Sequence, residues 1–181
     1  MPYIVGIAGG TCSGKSTSAD RLAEKLSDLK VELMHMDMYF RRPQITTVAP
    51  VTRKVYVEHN HPDAMELDRM YADFDAACAS DADVVIIEGL FALHLDRIRD
   101  KLDLKVFVDL KSDERIVRRI KRFMSFGQTM DEVTDRYLDT VRYRHDELIE
   151  PTRWHADLVL NGTLDFNKGV DILETVVRSK V

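Results

Sequence analysis

Short apolar runs alternate with segments of helical periodicity along most of the chain, and this alternation predicts the fold. The apolar runs, which we interpret as strands, are residues 3–8, 31–35, 83–87, 104–109 and 158–160. The run at 83–87 is nearly all apolar after its first residue, which is typical of a strand covered on both faces. The pattern therefore predicts an α/β fold whose doubly wound parallel sheet has five strands.

Between these runs, apolar residues recur at three and four positions, as they do along one face of a helix. The predicted helices are residues 15–29, 64–79, 112–126, about 131–149 and 165–178. Residues 41–59 show neither period and contain two prolines. A loop of that length in a compact domain is usually functional or mobile.

Composition narrows the class of protein. With 181 residues, 45% of them apolar, the chain has the size of one domain and can bury a core. A net charge of −5 argues against a general nucleic-acid-binding surface. We find no apolar run long enough to span a bilayer and no signal-peptide pattern at the start of the chain. Two cysteines without an export signal indicate a reducing compartment, so we expect a cytoplasmic protein. From the charge and the apolar pattern, we expect neither nucleic acid nor a membrane as a partner.

A glycine-rich segment between the first strand and the first helix carries the clearest chemistry. It reads Gly9, Gly10, Thr11, Cys12, Ser13, Gly14, Lys15 and Ser16, followed by Thr17, and fits the phosphate-binding pattern G-x-x-x-x-G-K-[ST]. Glycines allow backbone N–H groups to point at phosphate oxygens, and the helix start adds a positive dipole end. We expect this loop to bind ATP, with Lys15 on the β- and γ-phosphates and the Ser16 hydroxyl on Mg²⁺.

Two classes of protein use such a loop, and they differ in their other motifs. A regulatory switch needs D-x-x-G, but no glycine in this chain has an aspartate three positions before it. Residues 167–171 resemble the guanine motif N-K-x-D, although their aspartate comes one residue late. A small-molecule kinase is therefore the favoured class, and the switch protein remains the alternative.

A kinase needs a base for the acceptor hydroxyl, an acid that organises Mg²⁺, and cations around the phosphoryl group. Asp37 follows the second strand and Glu88 follows the apolar run 83–87. Because ligands bind at the carboxyl ends of parallel strands, both are candidates. A turn aspartate and a solvated acid at a strand end are the structural alternatives.

Four arginines in the helix 112–126 form a basic cluster. Arg115, Arg118, Arg119 and Arg122 are spaced so that they share one helix face, and the apolar residues of the helix are expected to face the core. The cluster is either a solvated basic face or a lid that binds phosphate charge.

Taken together, these residues resemble the uridine kinase and phosphoribulokinase-like family of P-loop kinases over nearly the whole chain. The similar segments, in order, are 6–17, 36–40, 60–64 with His-Pro-Asp-Ala, 87–93 with Glu-Gly-Leu-Phe-Ala-Leu, 115–122 and 150–157 with Pro-Thr. The His-Pro-Asp-Ala and Pro-Thr segments are not general features of P-loop proteins.

The resemblance implies a P-loop NTPase fold with a helical lid and an ATP-dependent, Mg²⁺-requiring kinase. Asp37 would be the catalytic base, Glu88 would organise Mg²⁺ together with Ser16, and Tyr39 would line the acceptor site. Arg119 and Arg122 would contact phosphate and acceptor. The implied acceptor is a small molecule, most simply a nucleoside such as uridine or cytidine.

Departures from the family pattern concentrate on the acceptor. Asn60 replaces an aspartate, Gln128 and Phe126 replace lid arginines, and Arg136 stands where the family has glutamine. A hairpin with the pattern P-x-Y-x-x-x-x-H-x-R is absent, because the helix 64–79 leads straight to the next strand. An anionic or non-nucleoside acceptor is therefore the alternative within the class, with residues 41–59 and Arg136 contributing positive charge.

Two residues near the His-Pro-Asp-Ala segment have structural alternatives. His61 is a candidate for contact with the acceptor, and a packed loop histidine is the other interpretation. Asp63 with Glu66 fits a capping box at the start of the helix 64–79.

We thus expect a single domain, 1–181, with a lid region at 112–130 and an acceptor-side loop at 41–59. The oligomeric state is open, with a homo-oligomer among the outcomes.

Overall fold

A computed structural model describes residues 1–163 and 166–181. Its centre is a five-stranded parallel sheet. The strands are β1 (Tyr3–Gly9), β2 (Val31–His35), β5 (Val84–Glu88), β6 (Leu104–Asp109) and β7 (Leu158–Asn161). Across the sheet they lie in the order β2-β5-β1-β6-β7. The predicted doubly wound parallel sheet of five strands is confirmed.

The apolar runs form central strands because helices cover both faces of the sheet. Every residue of β5 is buried, and its neighbour β1 is buried from its third residue onward. One core lies between the sheet and the helix that precedes β5, around Phe74, Phe91 and Phe107. The second lies on the other face, where the first and last helices pack.

The helices lie close to their predicted positions, with shorter ends. They are α1 (Lys15–Lys25), α2 (Leu67–Cys78), α3 (Asp96–Arg99), α4 (Ser112–Met124), α5 (Met130–Arg136), α6 (Arg142–Arg144) and α7 (Phe166–Arg178). Asp165, the predicted first residue of the last helix, lies outside the described residues. No helix in the described part of the chain is long and apolar enough to cross a membrane.

The helical segment 130–149 is not a regular α-helix. α5 continues into a π-helical turn at Tyr137–Val141, then α6, then a second π-helical turn at His145–Ile149. Such turns often occur at functional sites, and both lie in the helical segment that packs against residues 41–59.

Residues 41–59 contain regular structure that the periodicity did not predict. β3 (Thr46–Val48) and β4 (Val55–Val57) pair as an antiparallel hairpin, with Val48 opposite Val55. Each strand is only three residues long, too short for an alternating pattern to stand out in the sequence. We call residues 41–59 the hairpin segment.

The predicted capping box of Asp63 and Glu66 is wrong. Residues Pro62–Ala64 form a separate 3₁₀ turn, and His61 caps it by accepting a hydrogen bond from the Asp63 N–H at its Nδ1. Helix α2 therefore starts later, at Leu67, and the Glu66 side chain makes no capping hydrogen bond.

Candidate active site

The phosphate-binding loop follows β1 and leads directly into α1, as the sequence predicts. Gly9 and Gly14 adopt φ angles of 151° and 105°, in the region that favours glycine. A Cβ on Gly9 would lie 2.6 Å from the carbonyl oxygen of Val108. The loop therefore needs glycine at these positions to curl beneath a phosphate group.

Lys15 and Ser16 are the first residues of α1, so both are fixed to a helix start. Lys15 is 9% exposed. The Ser16 hydroxyl donates a hydrogen bond to Glu88 Oε2 over 3.1 Å. This contact joins the loop to the end of the neighbouring strand β5.

Glu88 is 2% exposed and is held from two sides. In addition to Ser16, it binds His35, whose Nδ1 lies 2.8 Å from Glu88 Oε1. The His35 Nε2 faces Asp20 Oδ1 at 3.5 Å. Strand register explains the pair, because His35 and Glu88 are the terminal partners of β2 and β5. A buried carboxylate requires such hydrogen bonds, and His35 supplies one.

The predicted orientation of helix α4 is wrong. Its most buried side chains are Arg115 and Arg119, at 4% and 6% exposed, whereas the apolar Ile116, Ile120 and Phe123 are only half-buried. The arginine face is therefore the packed face. It lies on the phosphate-binding loop, because a Cβ on Gly10 would come within 2.6 Å of Arg115 Nη1.

Hydrogen bonds explain how this helix buries arginine. Arg115 Nε donates to the Leu110 carbonyl oxygen over 3.0 Å, and Arg119 Nη1 donates to Thr11 Oγ1 over 2.7 Å. The Arg119 guanidinium also stacks over the Phe123 ring at 4.3 Å. Burial lowers the pKa of Arg119 to about 10, so its guanidinium remains charged at neutral pH.

A cavity of about 230 Å³ opens beside the loop and brings most of the predicted site residues together. Those that line it are Thr11, Cys12, Lys15, Ser16, Asp37, Asn60, Arg119, Arg122 and Arg136. These residues come from five separate parts of the chain. A second cavity of about 250 Å³ adjoins the same loop and is lined by Arg118 and Arg122 on the α4 side.

The far wall of the first cavity is built by the hairpin segment and α5. Arg136 Nη2 donates to the Val57 carbonyl oxygen and to His59 Nδ1, the latter over 2.9 Å. Phe40 meets the His59 ring edge-on at 5.0 Å. Burial, followed by the charge of Arg136, lowers the pKa of His59.

Two predicted acceptor residues lie elsewhere in this structure. The Tyr39 hydroxyl donates to Asp73 Oδ2 over 2.9 Å, and burial, followed by this carboxylate, raises the pKa of Tyr39 to about 12. His61 caps its own turn, and neither residue is among those that line the cavity. Their contact with an acceptor remains a prediction.

Sequence reasoning missed several residues of the site. Phe40, Leu90 and Phe123 line the cavity, and His35 holds Glu88. His35 was detectable in principle, since it ends a predicted strand one residue before the Asp37 motif. The others need knowledge of which segments meet in space.

The donor atoms at the Ser16 end suit a magnesium ion. Serine and carboxylate oxygens are hard ligands, and Mg²⁺ usually takes few protein ligands and keeps several waters. The described residues contain no group of three His, Cys, Asp or Glu side chains that could hold a metal ion. A magnesium ion here would take Ser16, Glu88 and phosphate oxygens as its candidate ligands.

Comparison with known proteins gives a consistent result. Residues 72–166 match the model of the phosphoribulokinase / uridine kinase family. A uridine kinase of Lactiplantibacillus plantarum is 32% identical over 98% of this chain and 95% of its own length. One of Lactobacillus helveticus is 31% identical over 203 positions, with the same coverage. That match is longer than the 181 residues here, so this relative has residues that the chain lacks.

Solved structures support the fold. A shikimate kinase from Acinetobacter baumannii, in complex with shikimate, superposes with a TM-score of 0.59 at 15% identity, over 100% of this chain and 96% of that one. A possible uridine kinase from Bacillus stearothermophilus gives 0.52 at 18% identity, over 88% and 89%. At these identities the likeness concerns the fold alone.

Proposed function

The chain belongs to the phosphoribulokinase / uridine kinase family, and from this premise we propose that it transfers the γ-phosphoryl group of ATP to a hydroxyl of a small molecule. The acceptor class supported by the relatives is the nucleoside, with uridine and cytidine as the first candidates. The alternative of a regulatory switch protein has no comparable support.

One observation carries the proposal. A single cavity is lined by Lys15 and Ser16 of the phosphate-binding loop, by the carboxylate of Asp37, and by Arg119 and Arg122 of α4. A phosphate donor site, a base and two cations thus face one enclosed space, which is the set of groups that phosphoryl transfer needs.

The roles of the residues follow from their positions. Asp37 stands at the end of β2 and accepts the proton of the acceptor hydroxyl. The acceptor oxygen forms a bond to the γ-phosphorus while the bond from that phosphorus to the β–γ bridging oxygen breaks, and ADP leaves. Lys15, Arg119 and Arg122 stabilise the negative charge on the transferring group.

Ser16 and Glu88 would hold Mg²⁺, which supplies charge neutralisation on the β- and γ-phosphates when bound. Glu88 orients its Oε2 toward Ser16 because His35 occupies its Oε1. Arg119, held by Thr11, fixes α4 against the loop.

The proposal is tested by following the γ-phosphate itself. ATP labelled in the γ-position is incubated with the protein, Mg²⁺ and either uridine or cytidine, and the products are separated. We expect the label in a nucleoside monophosphate. Label found only in inorganic phosphate, with every acceptor offered, would indicate a hydrolase or switch and contradict the proposal.

A further inference from the structure

The cavity is strongly positive. Its lining holds four cationic side chains, Lys15, Arg119, Arg122 and Arg136, and Asp37 is the one carboxylate among the described residues that line it. None of the four cations has a carboxylate partner within 4.0 Å in the described part of the chain. Such an unbalanced set of charges favours ligands with several negative charges.

Three of these cations belong to the side that binds ATP. Lys15 is part of the phosphate-binding loop, and Arg119 is hydrogen-bonded to Thr11 of that loop. Arg122 also lines the second cavity, together with loop residues 12 and 14–17. The triphosphate therefore accounts for these three positive charges. Arg136 is the one cation of the four that has no role in binding ATP.

Arg136 belongs to α5, outside the phosphate-binding loop and α4, and it is held in place by the hairpin segment. Its Nη2 donates to the Val57 carbonyl oxygen and to His59, so the guanidinium is anchored to the hairpin segment. Its Nε is buried and has no acceptor among the described residues. An anchored guanidinium loses little freedom when it binds, and a buried donor without a partner favours a ligand that supplies one.

The neighbours of Arg136 do not supply a balancing charge at the cavity surface. Asn60 is neutral and 8% exposed. The charge of Glu58 acts on Arg136, but Glu58 is buried outside the cavity lining, and its two carboxylate oxygens are taken by the Asn60 N–H and by Arg144. Phe40 and Phe123 leave apolar wall between the charged groups.

Building on the proposed kinase function, we propose that the acceptor carries a carboxylate or phosphate group, which Arg136 binds while the acceptor hydroxyl faces Asp37. Because Nη2 donates to Val57 and His59, the charge of the guanidinium and its Nη1 donors are what Arg136 offers to either oxyanion. Arg136 is then the residue that selects among acceptors, whereas Asp37 and the loop perform the transfer on any hydroxyl placed there.

The test compares acceptors that differ by one anionic group. Uridine and cytidine are the neutral acceptors, orotidine adds a ring carboxylate, and uridine 3′-phosphate adds a phosphate. We expect the wild type to favour one anionic compound by at least about tenfold in kcat/KM, as a charge-assisted hydrogen bond implies. The two anionic arms show which oxyanion is used.

Arg136→Gln should remove this preference by lowering kcat/KM for the favoured anionic acceptor about 10- to 100-fold relative to kcat/KM for the neutral nucleosides. Arg142→Gln is the matched control, since Arg142 is an exposed arginine of the same helical segment outside the cavity. Arg136→Lys keeps the positive charge without the planar guanidinium donors. Its ratio of kcat/KM for anionic over neutral acceptors should lie between those of the wild type and Arg136→Gln.

The outcomes separate the two proposals. Equal kcat/KM for neutral and anionic acceptors in the wild type, or an unchanged ratio in a folded Arg136→Gln variant, would overturn the role of Arg136 and leave the kinase function standing. Absence of transfer to every acceptor would overturn both. If Arg136→Gln does not fold, the ratio of kcat/KM for anionic over neutral acceptors in Arg136→Lys decides. A second measurement compares how far anionic and neutral acceptors raise the Tm of the wild type in the presence of a non-hydrolysable ATP analogue.

Discussion

The two sides of the cavity are built in different ways. The donor side, which we define as residues 9–17 with His35 and Glu88, is attached to the ends of three adjacent strands, and its key groups are positioned by backbone and strand register. The acceptor side, which we define as the hairpin segment with Asn60 and Arg136, is held by side chains from segments distant in sequence. Asp37 lies between them.

The difference in construction separates the part of the cavity proposed for phosphoryl transfer from the part proposed for acceptor choice. In the proposed function, transfer chemistry depends on short local motifs at the strand ends. The proposed acceptor choice depends on a small hairpin that Thr52, Lys54 and Tyr56 attach to the helical segment 130–149 outside the core. The donor side should therefore control turnover, and the acceptor side should control substrate preference.

Within the donor side, replacement of Lys15 should have the largest effect on turnover. Lys15→Met removes the cation that faces the transferring group, and we expect kcat to fall by about 10²- to 10³-fold while the fold is kept. Steady-state kinetics with the best acceptor measure this. Lys180→Met, at an exposed lysine near the end of the chain, is the control. Near-normal kcat in Lys15→Met would mean that the donor side is assigned to the wrong loop.

His35 should act on the donor side through Glu88. His35→Phe removes the donor to Glu88 Oε1, so the carboxylate is less well oriented and binding of Mg²⁺ with ADP should weaken by about tenfold. Calorimetric titration at several Mg²⁺ concentrations measures this without turnover. His35→Gln, which keeps an N–H donor, should recover part of the loss. Equal binding by all three proteins would show that His35 has no positioning role.

His145 makes the stability of the donor side depend on pH. It packs beneath Gly10, and burial, followed by the charge of Arg115, lowers its pKa from 6.5 to about 4. Below pH 6.5 the imidazole of His145 is therefore protonated in the unfolded chain, whereas in the folded protein it takes up the proton only near pH 4. Stability should fall as the pH drops through this window, by at most about 3 kcal/mol from this residue.

Urea unfolding at pH 7, 5.5 and 4.5 measures the effect, and His145→Gln should show a weaker dependence than the wild type. Some dependence should remain in the variant, since burial also lowers the pKa of His59 and of His94. Parallel curves for the two proteins would contradict the role of His145.

Asp139 should affect the acceptor side alone and by the smallest amount. Its Oδ2 accepts hydrogen bonds from Thr52 and Tyr56, each over 2.7 Å, which attach the hairpin segment to the helical segment 130–149. The hydrogen bonds from Tyr56 and Thr52 hold the pKa of Asp139 below its usual range, so the attachment is complete at neutral pH and is lost only in acid below the ordinary range of an aspartate.

Asp139→Asn should raise the KM for the acceptor by about fivefold and leave the affinity for Mg·ATP unchanged. Asp146→Asn, at an exposed aspartate of the same helical segment, serves as control. A change in Mg·ATP affinity in Asp139→Asn would show that the two sides of the cavity are not independent.

Much of this organisation is readable from the sequence, and the two sides again differ. The strands of the sheet, the phosphate-binding loop and the positions of Asp37 and Glu88 could be predicted, because each follows from a local pattern. Helix α4 was misread, because periodicity shows which residues share a face and not which face is buried. Hydrogen bonds to Thr11 and to the Leu110 carbonyl reverse the usual expectation for arginine.

The hairpin segment and the real start of α2 could not be predicted for a second reason. Three-residue strands carry too little pattern, and the cap at His61 replaces the one that Asp63 and Glu66 suggested. The meeting of Arg136 with His59 and Val57 depends on tertiary packing across more than 70 residues of sequence. Acceptor recognition is therefore the part that needed the structure.

Asp37 joins the two sides, and its replacement tests the central claim most directly. In a single turnover with labelled Mg·ATP and excess acceptor, Asp37→Asn should bind nucleotide as the wild type does and should transfer almost no label. Asp68→Asn, at an exposed aspartate away from the cavity, should transfer label at the wild-type rate. If Asp37→Asn transfers label to the acceptor at a rate close to that of the wild type, Asp37 is not the base and this account of the cavity is wrong.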